Sequence, residues 1–256
     1  MKFVRSADEI RKIMSTISNP KFDEIKMVGA MFLTTPEFVE RVLPPPLKPA
    51  AAPMGTINII EVDRSNVIGA FKGGAISISA RYNDIEGAYC LTMPMDTDAA
   101  IIYGREIFGE PKKQAISKVT VNGDKVEGSV ERQGIEVINI RGVIGAALDP
   151  VLLASSANFH YKYSINPDGS GLDSNPKLVH AVFTNTVRSV NACDVEVKLQ
   201  GTPDDIYGDI PIEQIMGGMV AFLDMHPKVT YLAEVDKDVF LPYAFVKIDQ
   251  YDRFSY

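Results

Sequence analysis

Cysteine is nearly absent from this 256-residue chain: Cys90 and Cys193 lie far apart and outside any Cys-x-x-Cys pair. Two buried, unpaired thiols in a reducing cytoplasm are the expectation. Histidine is equally scarce. His160, His180 and His226 show no His-Glu-x-x-His or similar ligand spacing, which argues against a zinc site. Phosphate-binding glycine loops and a Gly-x-Ser-x-Gly elbow are missing too, so nucleotide and serine-hydrolase schemes lose their usual signatures. There is no Lys/Arg block, and the net charge is -7. That balance lacks the basic footprint of a nucleic-acid partner or of an anionic membrane surface. No apolar run reaches bilayer length, and MKFVRSADEIRKIM has no apolar core of a signal peptide. A cytoplasmic protein is expected.

What is present is ample apolar material, 46% of residues, with an ordinary 23% charged. Ser6 and Glu9 form a capping-box pattern that predicts a helix to about Ile17. Thr35-Pro36-Glu37 predicts a second, ending before Pro44-Pro45-Pro46. Beyond this proline-rich loop the pattern becomes strand-like. Alternation around Ile57–Val62 is followed by segments 75–82, 87–93, 116–121, 125–131, 135–143, 157–165, 178–189 and 194–199. Asn122-Gly123-Asp124 and Arg132-Gln133-Gly134 read as hairpin turns. Ile210-Pro211-Ile212-Glu213 reads as the start of a helix running to about Met225. Its apolar part, Ile212 to Leu223, would pack on the core or on another subunit. Many short strands with few helices predict an α+β, mostly β chain: an antiparallel barrel or sandwich with peripheral helices, in one domain over 1–256.

One segment stands apart, Tyr103-Gly104-Arg105-Glu106-Ile107-Phe108-Gly109-Glu110-Pro111-Lys112-Lys113. Its glycines and proline predict an irregular connection between strands. On composition alone, two adjacent lysines are more often a solvated pair, and Glu110 beside Pro111 reads as exposed.

The run GREIFGEPKK, residues 104–113, resembles the signature of the acetoacetate decarboxylase family. Val42–Leu47, Lys162–Ser170 and Asp209–Ile215 resemble further stretches of that family in the same order. The resemblance implies a cone-like β-barrel with flanking sheets, homo-oligomeric assembly and no cofactor. It also implies a keto-acid Schiff base on Lys112, with Lys113 as the cationic neighbour that lowers its basicity. Arg105 would hold a substrate carboxylate or, with Glu106, order the loop. The family's pocket glutamate falls at Lys72 or Gly73, and its arginine near Ile25-Lys26. Lys26 keeps the charge without the bidentate fork, and Glu61 is a candidate replacement for the acid.

An amine must be neutral to attack a carbonyl, and a reference pKa of about 10.4 leaves roughly one lysine in 2,500 neutral at pH 7. Half-neutrality there requires about 4.6 kcal/mol from the surroundings. A second ammonium about 5 Å away supplies about 0.8 kcal/mol through water, and about 3.3 kcal/mol at an effective dielectric of 20. Burial must therefore carry a large share; this family is itself the usual illustration of that activation. Neighbours on a regular strand also point to opposite faces, which weakens the second lysine's reach. The expected reaction is decarboxylation of a β-keto acid such as acetoacetate. The alternative is aldol condensation or dehydration on pyruvate or another 2-oxo acid with an aldehyde. A non-catalytic small-acid-binding barrel is the third possibility.

Overall fold

In the computed structural model, residues 3–254 are described; the outermost residues of the expected 1–256 domain lie outside them. α1 (Ala7–Ile17) opens with the Ser6–Glu9 capping box, and α2 (Pro36–Val42) with the Thr35 cap and Pro36 in its first turn. Nearly everything that follows is strand. β1 (Phe22–Leu33), β2 (Lys48–Pro49), β3 (Met54–Ser65), β4 (Phe71–Tyr82) and β5 (Ile85–Met95) precede α3 (Asp98–Tyr103). Then come β6 (Lys112–Gln114), β7 (Ile116–Asn122), β8 (Lys125–Arg132), β9 (Ile135–Ala147), β10 (Ser155–Lys162), β11 (Lys177–Leu199), β12 (Gln214–Glu234) and α4 (Lys237–Phe240).

The strands form one sheet in the order β10-β5-β4-β3-β1-β12-β11-β9-β8-β7. A further β10–β11 pairing joins the run's first strand to its seventh, closing a seven-stranded barrel. β9, β8 and β7 continue outward from β11 as a wing. Its hairpins turn at Gly123 and at Gln133-Gly134, all with positive φ, where the turn residues anticipated them. The wing folds over the outside of β3 and β4, and Ile57, Ile59, Ile76, Val130, Ile138 and Ile140 fill that layer without exposure. A separate apolar cluster, including Phe22, Ile25, Phe71, Met93 and Leu223, lines the barrel interior.

The expected helix from Ile210 to about Met225 is instead β12. Gly217-Gly218 disfavours a helix by about 1 kcal/mol per glycine. A β-carbon at Gly218 would lie 2.4 Å from a Val195 methyl, so glycine is needed for strand packing there. β12 sits between β1 and β11, with apolar side chains on both faces. Such a strand reads as an unbroken apolar run, which period alone does not separate from a buried helix. The reading of Ile212–Leu223 as a helical contact for another subunit falls with it.

Candidate active site

Lys112 stands on β6, three residues laid parallel to β5 with Lys112 opposite Met93. The connection before it explains how a lysine comes to be buried. α3 runs into a single wide π-helical turn, Gly104–Phe108, which ends at Gly109 in the left-handed conformation, φ 74°. A β-carbon at Gly109 would stand 2.7 Å from the Lys162 backbone, so only glycine lets the turn close against β10. Lys162 Nζ donates to the Glu106 carbonyl from the same side. The chain then doubles back and places Glu110 and Lys112 inside. Gly104 makes room for both: a β-carbon there would lie 2.3 Å from Glu110 Oε2 and 2.5 Å from Lys112 Cδ.

Lys112 is 5% exposed and Glu110 4%. Lys112 Nζ lies 2.7 Å from Glu110 Oε2 and 5.9 Å from the Phe71 ring centre. The carboxylate contact is an ion pair outside directed hydrogen-bond geometry, leaving Oε2 without a hydrogen bond among the described residues. Glu110, expected at the surface, is thus the lysine's immediate partner. Cys90, His160 and Tyr103 surround the pair. Burial, then the Glu110 charge, push the Cys90 thiol up to about 12 and likewise the Tyr103 hydroxyl. Burial drives the His160 imidazole down to about 4, against an opposing pull from Glu110. At neutral pH the thiol, the phenol and the imidazole are therefore uncharged.

The pair faces a cavity of about 740 Å³ inside the barrel. Among the described residues lining it, Glu110 and Lys112 are the charged ones. Six of the chain's ten methionines contribute to the wall: Met27, Met31, Met93, Met95, Met219 and Met225. Flexible, polarizable thioethers suit an apolar guest of variable shape. Exposed Met31 and Leu152 mark the rim.

The remaining expected site residues are elsewhere. Lys113 points to the opposite face of β6, as strand alternation requires. Its Nζ donates to Asp205 Oδ1 and to the Asp204 carbonyl, both at 2.9 Å, and lies 3.2 Å from Asp249 Oδ1. Arg132 joins the same carboxylates from β8. Burial would raise the Asp205 carboxyl, but Lys113 and Arg132 outweigh it and hold it low. The expectation of a cation acting on Lys112 is corrected: Lys113 is neutralised by carboxylates, and the nearest charge to Lys112 is negative. Glu61 also misses the cavity. Thr56, Asn58, Ile60 and Val62 line it, so Glu61 points to the other side of β3. There it accepts from Lys72 at 2.8 Å and from Lys26 at 3.3 Å, one ladder across three strands. Burial raises the Glu61 carboxyl and the two lysines more than reverse this. Lys26 therefore does not supply a cavity cation. Arg105 lies outside the cavity lining, its charge felt by Tyr163 and Lys247, and Glu106 has an exposed side chain.

A hollow barrel, antiparallel except where β10 runs parallel to β5, with a lysine–carboxylate pair buried in its wall is the class of protein that fold and site define. The acetoacetate decarboxylase profile matches residues 10–234, and the chain belongs to that family, as an enzyme of its superfamily. It is 23% identical to a CLA biosynthesis isomerase of Lactiplantibacillus plantarum over 98% of this chain and 95% of that one. With the acetoacetate decarboxylase of Clostridium acetobutylicum the figure is 24%, over 85% and 93%. A solved acetoacetate decarboxylase superposes with a TM-score of 0.79 at 22% identity, covering 90% of this chain and 99% of the other. MppR, an enduracididine biosynthesis enzyme solved with pyruvate, reaches 0.72 at 16%, over 84% and 91%. These superpositions establish a shared fold. Among the described residues, no helix is long and apolar enough to cross a membrane.

Proposed function

We propose that the whole chain acts as one imine-forming unit on an apolar ketone larger than acetoacetate. In this reading Lys112 is the nucleophile and Glu110 the proton carrier. The observation that carries it is the Lys112–Glu110 ion pair facing a 740 Å³ apolar cavity. A proton passed from the ammonium to the carboxylate leaves a free amine. The amine adds to the ketone carbon, a C–N bond forms, and the oxygen departs as water after protonation by Glu110. The resulting iminium draws electrons from the adjacent carbon. Glu110 takes the proton released there, giving an enamine. If the ketone has a β,γ double bond, the enamine is a dienamine. Returning the proton to the γ-carbon then moves the double bond into conjugation, and water hydrolyses the imine. The balance is an isomerisation needing no co-reactant. The full-length resemblance to a CLA biosynthesis isomerase favours this outcome.

A second reading keeps the family's lyase chemistry: a β-keto acid loses carbon dioxide into the same iminium. An apolar cavity favours it, because a poorly solvated carboxylate gives up its charge more readily. The lining offers little to a small 2-oxo acid, since beside Lys112 it has no cation to hold the carboxylate, so the aldolase alternative is the least supported. Borohydride trapping with medium-chain β,γ-enones and β-keto acids, followed by peptide mapping, tests the shared step. Adduct at Lys112 is expected; no adduct with either class would overturn the mechanism. Growth of conjugated-enone absorbance against carbon dioxide release then separates isomerase from decarboxylase.

A further inference from the structure

Within the otherwise apolar cavity, a set of uncharged polar side chains is contiguous in the sheet. Thr56 on β3 pairs directly with Ser77 on β4, and Asn58 lies one inward position from Thr56. Ser79, the next inward position on β4, faces Ala88 on β5, and Ala88 in turn faces Asn158 on β10. All five polar residues line the cavity. The side chains of Thr56, Asn58, Ser79 and Asn158 make no hydrogen bond to another described residue. Ser77 is 5% exposed and bonds Cys90, beside the Lys112–Glu110 pair. Glycine at 29 admits the Asn58 amide, because a β-carbon there would meet Asn58 Oδ1 at 2.4 Å. Half-buried donors and acceptors that face a cavity without a protein partner suit a polar ligand group.

We propose that Thr56, Ser79 and Asn158 form a subsite for an uncharged hydrogen-bonding group, a hydroxyl, at the far end of the ketone's chain. This rests on the imine reading only for where the ketone sits. Met93 pairs with Lys112, and Ala88, between Ser79 and Asn158, lies five residues away along β5. That is roughly 16 Å of strand, the span of a medium-length aliphatic chain. No cation lies in the patch, so a carboxylate would lose its hydration there without a counter-charge.

The test compares methyl ketones of about twelve carbons that end in methyl, hydroxyl or carboxylate, matched to that span. Affinity is measured by displacement of an environment-sensitive dye, and Lys112 adduct formation separately by borohydride trapping. The hydroxyl ketone is expected to bind about tenfold tighter than the methyl one, the reach of one or two neutral hydrogen bonds. The preference should disappear in Thr56→Val/Ser79→Ala, with isosteric Thr56→Val alone as the variant if the pair folds poorly. Equal affinity of the methyl and hydroxyl ketones, or tighter binding of the carboxylate, would overturn the subsite. A hydroxyl preference with no adduct at Lys112 would keep the subsite and overturn the imine reading instead.

Discussion

The wing layer and the barrel interior are both apolar and reach opposite results. Between wing and wall, β-branched Ile57, Ile59, Ile76, Ile138 and Ile140 interdigitate with no exposure. Inside the barrel, methionines and aromatics stand around a cavity of about 740 Å³. Stiff branched side chains fill a layer to crystal-like density, whereas long, adaptable ones bound a chamber. Stability is therefore concentrated in the outer layer and chemistry in the inner one. Substitutions in the two should separate along that line.

The largest effect should come from the proposed reactive pair, Lys112 and Glu110. Lys112→Met is expected to lower turnover by at least about a thousandfold while removing the borohydride adduct. A trapped adduct at another lysine would break the assignment. Glu110→Gln should lower turnover by about a hundredfold to ten-thousandfold through lost proton transfer. Retention of full activity would remove Glu110 from the proposed mechanism. In the outer layer, Ile59→Ala should cost about 4 kcal/mol in a denaturant melt and leave adduct formation intact.

The fourth prediction concerns pH. A His160 held near 4 in the folded chain and near 6.5 unfolded takes up its proton earlier on unfolding. Its contribution is complete above 6.5 and is lost as pH falls towards 4, about 3 kcal/mol in all. Urea melts between those values should show that slope in the native protein, and His160→Phe should flatten it. A slope unchanged by the substitution would place the titration elsewhere. The smallest effect belongs to the chamber wall: Met219→Leu should change stability by less than about 1.5 kcal/mol but alter the preferred ketone length.

This division also sets what the sequence made legible. Alternation at Ile57–Val62 and the turns at Gly123 and Gly134 are local signals, and the wing strands and most barrel strands followed from them, but β1 (Phe22–Leu33) was not anticipated. β12 was not legible, because burial on both faces erases the alternation that marks a strand. At the site, Lys112 was readable through the family resemblance of residues 104–113. Glu110 was not: its burial depends on Gly109 meeting the backbone of Lys162, far along the chain. The fate of Lys113 likewise rests on Asp205 and Asp249, which no pattern near residue 113 reveals.

The three-residue strand carrying both lysines has a consequence for how the chain tolerates insertions and deletions. Removing one residue between Gly109 and Lys112 would slip the strand by one position, bringing residue 113 into the slot that faces the chamber and Gln114 into the slot that faces Asp205. The chamber would keep an amine, but Gln114 would leave Asp205 and Asp249 without the Lys113 charge. The carboxylate clasp on Lys113 works as a registration peg, favouring the register in which Lys112 faces the chamber.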